Sequence, residues 1–404
     1  MHRPDGRRRP WCTLVGLSLM ASGCYLSHGV EGPDVGPDRP TGCVSDADCA
    51  DGDRCTTDRC VVGRCTYEPI SFSEHAAYRA ATGSATSVSS DGARALVLTD
   101  ALGVEPFDAS GPAGAPTRLT PTGGDRDWDS AIATNGAEAI VVTVAETSPV
   151  EASVVMQSVT TGTRDARPAA RYFVEAAWTG ASFISIEHDM MATCTLRELD
   201  PVRGFVGDPV RAACPYTSVL PAFLMPPWYV PVRGSRGEVR LLSLGMDGQV
   251  VEWTPSRGER ALQLVTDRGL GLHSLASREV DGVLGAAWVR VGAGSTTVVA
   301  AVLEEDGGRL VPSAAPIERA APAVEAGGPY AFWMSAAECS RRFVLVAADP
   351  TGLYVLELDR RGAAVSEWRS LGPFAQAGRI SSACIDGGVV IAEWSAVHVL
   401  TCEP

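Results

Sequence analysis

One pattern recurs along most of this chain: small residues, a turn, then an apolar run of five to eight residues. It appears as SVSSDGARALVLTD at 87–100, AIATNGAEAIVVTV at 131–144 and AAWTGASFISIEH at 176–188. It returns as SREVDGVLGAAWVRV at 277–291, MSAAECSRRFVLVAAD at 334–349 and SSACIDGGVVIAEWS at 381–395. The turns centre near residues 91, 136, 180, 282, 339 and 387, so the first steps are about 45 and 44 and the last about 48. The one long gap, about 102, is two steps, which places a further copy near residue 230. VLPAFLMPPWYVPVRG at 219–234 stands there, its pattern obscured by the prolines before Trp228.

No long stretch with helical periodicity interrupts these runs, so the body from residue 70 to 404 reads as all-β. A repeat of 40–50 residues in an all-β chain is the length of a four-stranded propeller blade. One blade cannot cover both faces of its own sheet, whereas a closed ring covers each blade with two neighbours and leaves no long open edge. Seven copies predict a seven-bladed β-propeller; a pair of β-sandwiches is the competing architecture, and it does not require such regular return. Closure should join the two ends of the body, FSEHAAYRAA at 72–81 and VVIAEWSAVHVL at 389–400, in one sheet. The body resembles TolB-like or WD40-like propellers in architecture only, since Trp128-Asp129 occurs once and not as a repeating mark.

Ahead of the body lie three short segments. Residues 1–23 hold a basic head (Arg3, Arg7, Arg8, Arg9), an uncharged run from Trp11 to Met20 and the small residues Ala21, Ser22 and Gly23. The run falls short of the roughly 20 apolar residues that span a bilayer and fits a signal peptide. Cys24 follows at once. This junction resembles the lipobox of bacterial lipoproteins, although Ala21 stands where that family more often has Leu. The resemblance implies that Cys24 is the acylated first residue of the mature protein, held in a membrane of the cell envelope by two or three acyl chains. Tyr25 is not the Asp that resembles an inner-membrane retention signal, which points to the outer membrane. Residues 24–42 are rich in Pro and Gly and read as a flexible tether.

Residues 43–69 form a small module with Cys43, Cys49, Cys55, Cys60 and Cys65. A segment this short has almost no core, so cross-links must order it. It resembles the cysteine-rich modules of many myxobacterial surface proteins, matching in Cys43, Asp46, Asp48, Cys49, Asp51-Gly52, Cys55-Thr56, Asp58, Cys60, Gly63 and Cys65; that family brings no established chemistry. Zinc sites favour tighter cysteine pairs with histidine nearby. Asp46, Asp48, Asp51 and Asp53 suggest calcium, but an EF-type loop needs Gly at position 6 and Glu at 12, and the register fails. Five cysteines cannot pair among themselves, so one must reach the body, where Cys194, Cys214, Cys339, Cys384 and Cys402 lie. The expected bridges are Cys194 to Cys214, Cys339 to Cys384 and Cys65 to Cys402, with the pairing of Cys43, Cys49, Cys55 and Cys60 open.

Composition prunes the chemistry. The chain has no Lys and one Asn, Asn135. Schiff-base, P-loop and Ser-Lys mechanisms are excluded. Without residues 1–23 the acids outnumber the bases by 17, a surface that repels nucleic acid. No G-x-S-x-G and no H-E-x-x-H occurs. His188, between Glu187 and Asp189, would face away from both on a strand; His75, His273 and His398 stand alone. Asp125, Asp127 and Asp129 alternate around Trp128; the group reads first as a solvated loop lip and second as a place for a sugar or cation. These readings favour a lipid-anchored binding or scaffold propeller for a protein or glycan. The alternative is a carbohydrate-active hydrolase or lyase, which needs two carboxylates across a cleft.

Overall fold

The computed structural model describes residues 42–121, 126–148, 151–169, 173–178, 182–188, 193–213, 230–233, 239–244, 249–254, 258–265, 272–280, 283–292, 295–322, 333–349, 351–374 and 380–402. The body is a seven-bladed β-propeller whose blades are antiparallel, with one parallel pairing, Gln263 to Arg309 and Leu264 to Leu310, joining blades 4 and 5 in one sheet. Blade 1 holds Ala85–Ser90, Ala95–Thr99 and Gly103–Asp108, edged by two short pieces at Gly111–Pro112 and Thr117–Arg118. Blade 2 is Arg126–Thr134, Ala139–Ser148, Glu151–Ser158 and Arg164–Ala169; blade 3 is Phe173–Trp178, Phe183–His188, Thr193–Asp200 and Gly204–Ala213. Blade 4 is Val230–Arg233, Val239–Leu244, Gln249–Thr254 and Gly258–Leu264. Blade 5 is Leu272–Val280, Val283–Gly292 and Ser295–Asp306, with Arg309–Pro312 and Ile317–Ala321 sharing its outer edge. Blade 6 is Trp333–Cys339, Arg342–Asp349, Gly352–Asp359 and Arg369–Gly372.

Blade 7 takes three strands from the end of the chain, Ser381–Ile385, Gly388–Glu393 and Ala396–Thr401, and its fourth, Ser73–Tyr78, from the beginning. The closing pair is antiparallel, with Ser73 opposite Thr401 and Tyr78 opposite Val397. This is the closure that the two ends of the repeat demanded, and it is supplied by backbone hydrogen bonds.

The sequence recurrence is the first hairpin of each blade. Its turns are Asp91-Gly92, Asn135-Gly136 and Asp386-Gly387, whose glycines have φ of 93°, 91° and 72°. The first two are four-residue connections, 91–94 and 135–138, and the third is a two-residue turn; each needs a residue at positive φ, which Gly supplies without steric cost. The fourth copy departs from its expected place: blade 4 turns between residues 233 and 239, later than residue 230, and the segment 214–229 lies outside the described residues. The repeat length is also written into the bonds between blades. Ser87 and Ser89 Oγ accept from Ile132 and Thr134 N–H, and Asp129 Oδ2 accepts from Val174 N–H, each across 45 residues. Neighbouring first strands are thus stitched by short polar side chains.

Apolar clusters fill the spaces between blades. Ile140, Val142 and Met156 of blade 2 meet Val174, Phe183 and Leu199 of blade 3. Val289, Val298 and Ala300 of blade 5 meet Phe343, Leu345 and Leu356 of blade 6. A Cβ on Gly285 would lie 2.2 Å from the Phe343 ring, so the missing side chain lets that ring lie against blade 5. Because both faces of a blade are covered, its strands bury consecutive residues. Arg342–Asp349 is buried at all eight positions.

Candidate functional site: the module seat on the closure seam

The module consists of one 3-10 turn, Asp46–Cys49, and a hairpin, Thr56–Val61 with Arg64–Pro69. Its only buried residues are Cys49 and Cys55. Cys60 and Cys65 face each other across the hairpin, yet each bonds elsewhere: Cys43 joins Cys60 and Cys49 joins Cys65. The expected Cys65–Cys402 bridge is therefore not the one formed. Cys402 bonds Cys55, with Cα atoms 5.1 Å apart. Cys55 sits at the base of the hairpin, where Ile70 N–H bonds its carbonyl and brings it beside the seam; Cys65 is spent within the module.

Around that bond lies a buried charge network. Arg342, the first residue after the first turn of blade 6, has no exposed side-chain surface and neither has Glu357. Arg342 Nη1 lies 2.9 Å from Glu357 Oε2 and also donates to Ile70 O, while Nη2 donates to Cys55 O at 2.9 Å. Its guanidinium stacks 4.3 Å from the centre of the Phe72 ring. Phe72 N–H donates to Glu357 Oε1 at 3.0 Å, and Arg369 Nη2 reaches the same oxygen at 3.2 Å. Burial pushes the Glu357 carboxyl above its ordinary range, opposed first by the Arg342 charge, then by the Phe72 N–H and Arg369. Two buried charges persist only when such bonds replace the lost water.

The module sits on two hairpin turns. Ser340 and Arg341, in the first turn of blade 6, both have positive φ, 50° and 62°. Neither residue favours that region, and its cost must be offset by contacts that fix the turn. They are present: Ser340 Oγ donates to Asp53 Oδ1 at 3.0 Å, and Arg341 lies 3.7 Å from Asp51 and 4.7 Å from the Tyr67 ring centre. On the neighbouring turn of blade 7, Gly387 O accepts from the N–H of Cys402, which is bonded to Cys55 of the module, and a Cβ on Gly387 would lie 3.8 Å from Arg54 Cδ of the module.

The acidic residues of the module serve its backbone. Asp48 accepts from Val44 and Ser45 N–H, which holds its carboxyl below the usual range. Asp46 accepts from Cys60 N–H, Asp51 from Asp53 N–H and Asp53 from Cys55 N–H. Among the described residues one set of three ligand atoms lies within 4.8 Å, the sulfurs of Cys43, Cys49 and Cys65, and these are already in disulfides. Asp46, Asp48, Asp51 and Asp53 are not part of that set.

Other expected positions fall as follows. Cys194 is buried and disulfide-bonded; its expected partner Cys214 lies outside the described residues, as does Cys24. Cys339 and Cys384 are neighbouring free thiols and not a disulfide. His188 ends its strand, and the carboxylate beside it is committed elsewhere: Glu187 is buried against Arg197 at 2.6 Å. Burial pushes Glu187 up to about 7, partly opposed by the Arg197 bond. His398 Nδ1 lies 2.8 Å from Glu74 Oε1, tying the last strand to the closing strand. Asp127, Trp128 and Asp129 lie in a strand of blade 2, where Asp129 stitches blades; Asp125 is outside the described residues. Sequence reasoning missed Arg342, Glu357 and Phe72. Only the Arg341-Arg342 pair, which straddles the end of a turn, could have signalled them.

No protein-family model and no curated protein matches the sequence. Among solved structures, the chain is similar to the β-propeller domain of Cps50 (Swd1) from Myceliophteria thermophila, at 13% identity and TM-score 0.49, covering 82% of this chain and 99% of that one. It is also similar to the WD40 β-propeller domain of Doa1, at 11% identity and TM-score 0.47, covering 82% and 97%.

Proposed function

We propose that this protein is a lipid-anchored propeller of the cell envelope that presents a rigid ring for binding a protein partner, with the cysteine-rich module as its stem. The observation that carries the reading is the Cys55–Cys402 bond. Cys402 follows the last strand, and Ser73–Tyr78 pairs with that strand. A pull on the chain before residue 43 therefore enters the ring through a covalent bond at the mouth of the closing pair, where peeling would otherwise start. A tethered protein needs that reinforcement at its N-terminal side; a freely diffusing one does not. Disulfides of this density also belong to oxidising compartments.

Binding is favoured over catalysis by where the acids go. The buried acids among the described residues are Glu105, Glu187, Glu252, Asp349, Glu357 and Glu393. Four are paired with arginines: Glu187 with Arg197, Glu252 with Arg260, Asp349 with Arg319 and Glu357 with Arg342. Glu105 accepts from the Ala81 and Thr82 N–H groups, and Glu393 from Ser395 Oγ. These acids act as joints within and between strands.

The anchor is tested by detergent-phase partition and mass spectrometry of the mature N-terminus. An acylated Cys24 is expected, with loss of partition in Cys24→Ser; a Cys24→Ser protein that still enters the detergent phase contradicts it. For binding, the tagged protein is recovered from detergent-solubilised envelope beside a glycan array. A protein retained through a salt wash and displaced by excess untagged ring supports the reading. Glycan cleavage by the purified protein would contradict it.

A further inference from the structure

Seven of the described cysteines are in disulfides, and the remaining two, Cys339 and Cys384, touch each other. Cys339 ends the first strand of blade 6, and Cys384 lies one residue from the end of the first strand of blade 7. Those strands pack side by side, with Ser335 and Ser382 Oγ 2.7 Å apart. Cys384 packs on the apolar cluster that contains Cys339, Cys55 and Cys402, so four sulfurs share one corner of the ring. Each free thiol adjoins a turn that meets the module, Ser340-Arg341 through Asp53 on one side and Asp386-Gly387 beside Arg54 on the other.

We propose that Cys339 and Cys384 form a reversible redox site between blades 6 and 7, whose reagent is a low-molecular-weight disulfide of the glutathione class. The two thiols have different parts. Cys384 is half-buried and can meet a reagent, with its sulfur 3.6 Å from the Ile385 and Gly388 carbonyls. Cys339 is buried, and burial, the Cys384 thiol and Glu338 together push its own thiol well above the ordinary range, against the pull of Arg342. Such a buried thiol is inert toward outside reagents; its place against Cys384, and not its acidity, gives it the resolving part. In the first step Cys384 loses its proton to solvent and attacks one sulfur of the small disulfide. That S–S bond breaks, a mixed disulfide forms on Cys384, and one small thiolate leaves and takes up a proton. Cys339 then attacks Sγ of Cys384, gives its proton to solvent and expels the second small thiolate. Two protein thiols are oxidised to one disulfide, and one small disulfide is reduced to two thiols. The new bond would fasten together the two turns under the module.

The test uses the purified full chain treated with oxidised glutathione, after which remaining thiols are alkylated. Trypsin with cleavage before Asp386 separates Cys384 from Cys402. The expected result is loss of both thiols and a peptide linking Cys339 to Cys384, with both thiols restored by excess reduced glutathione. Cys339→Ser should stop at a glutathione adduct on Cys384, and Cys384→Ser should leave Cys339 unmodified while the protein is folded. The wild-type map decides the matter even where a variant fails to fold. Thiols that stay alkylatable, a wild-type adduct that never resolves, or Cys339 joined to another cysteine would each overturn the proposal. So would a Cys339–Cys384 bond that excess reduced glutathione cannot reopen.

Discussion

The module and the ring it sits on are ordered by opposite means. Within residues 43–69 only Cys49 and Cys55 are buried, while Val44 and Val62 are almost fully exposed, at 96% and 97%. Its shape rests on two internal disulfides and on carboxylates that accept backbone N–H groups. In blade 6, by contrast, a whole eight-residue strand is buried between neighbours. Apolar burial at roughly 25 cal/mol per Å² does for the ring what cross-links do for the module. The difference teaches where each is vulnerable: the module to reduction, the ring to loss of closure. The two meet at the Arg342–Glu357 pair and the Cys55–Cys402 bond, where both kinds of support are present.

The largest effect is expected from breaking closure. Deleting residues 389–402 removes all but Gly388 of one inner strand and the whole of the strand that pairs with Ser73–Tyr78, so the ring should lose its cooperative melting transition altogether. A truncated protein that still melts within a few degrees of the full chain would favour the pair of sandwiches. Next comes the junction. Arg342→Ala leaves Glu357 buried without its main partner, and such losses cost about 3–5 kcal/mol. Denaturant midpoints should show it, and Arg342→Met with Glu357→Leu should recover most of the loss, since apolar replacement of a buried pair is often neutral.

The repeat and the ring were legible because hairpin turns leave a strong local mark. Asp91-Gly92, Asn135-Gly136 and Asp386-Gly387 announce themselves, and the 45-residue spacing reappears as the Ser87, Ser89 and Asp129 stitches. The junction was not legible, for a reason that lies in the fold. Glu357 alternates with Leu356 and Leu358, a pattern that reads as a polar outer face. In a propeller that outer face is another blade, so the same alternation buries a carboxylate. The cysteine pairing was misread because proximity along the chain favoured Cys65, whereas the hairpin turns Cys65 inward to Cys49 and leaves Cys55 at the seam.

A smaller effect separates the ring from the module by pH. Glu187 titrates near 7 when folded against 4.5 in its ordinary state. Its folded form holds the proton more tightly, so its contribution is complete below about pH 4.5, declines as pH rises to about 7 and is flat beyond. The slope is at most about 1.4 kcal/mol per pH unit. Glu187→Gln should remove that slope from the ring's stability curve, measured by denaturation at a series of pH values, and leave the module's proteolytic resistance unchanged. The smallest effect on the ring should follow loss of the Cys43–Cys60 and Cys49–Cys65 bonds. Replacing these four cysteines by Ser should open the module to protease, while the ring loses only the hydrogen bond and the half-exposed ion pair at Ser340 and Arg341, about 1 kcal/mol.

The account turns on the bolt between module and seam, and a non-reduced peptide map reads it directly. Trypsin cuts after Arg54, Arg59 and Arg64, so Cys55, Cys60 and Cys65 fall on separate peptides, and cleavage before Asp386 isolates Cys402. The predicted result is one linked species joining the Cys55 peptide to the Cys402 peptide. Finding Cys402 joined to Cys65, or free, would contradict it.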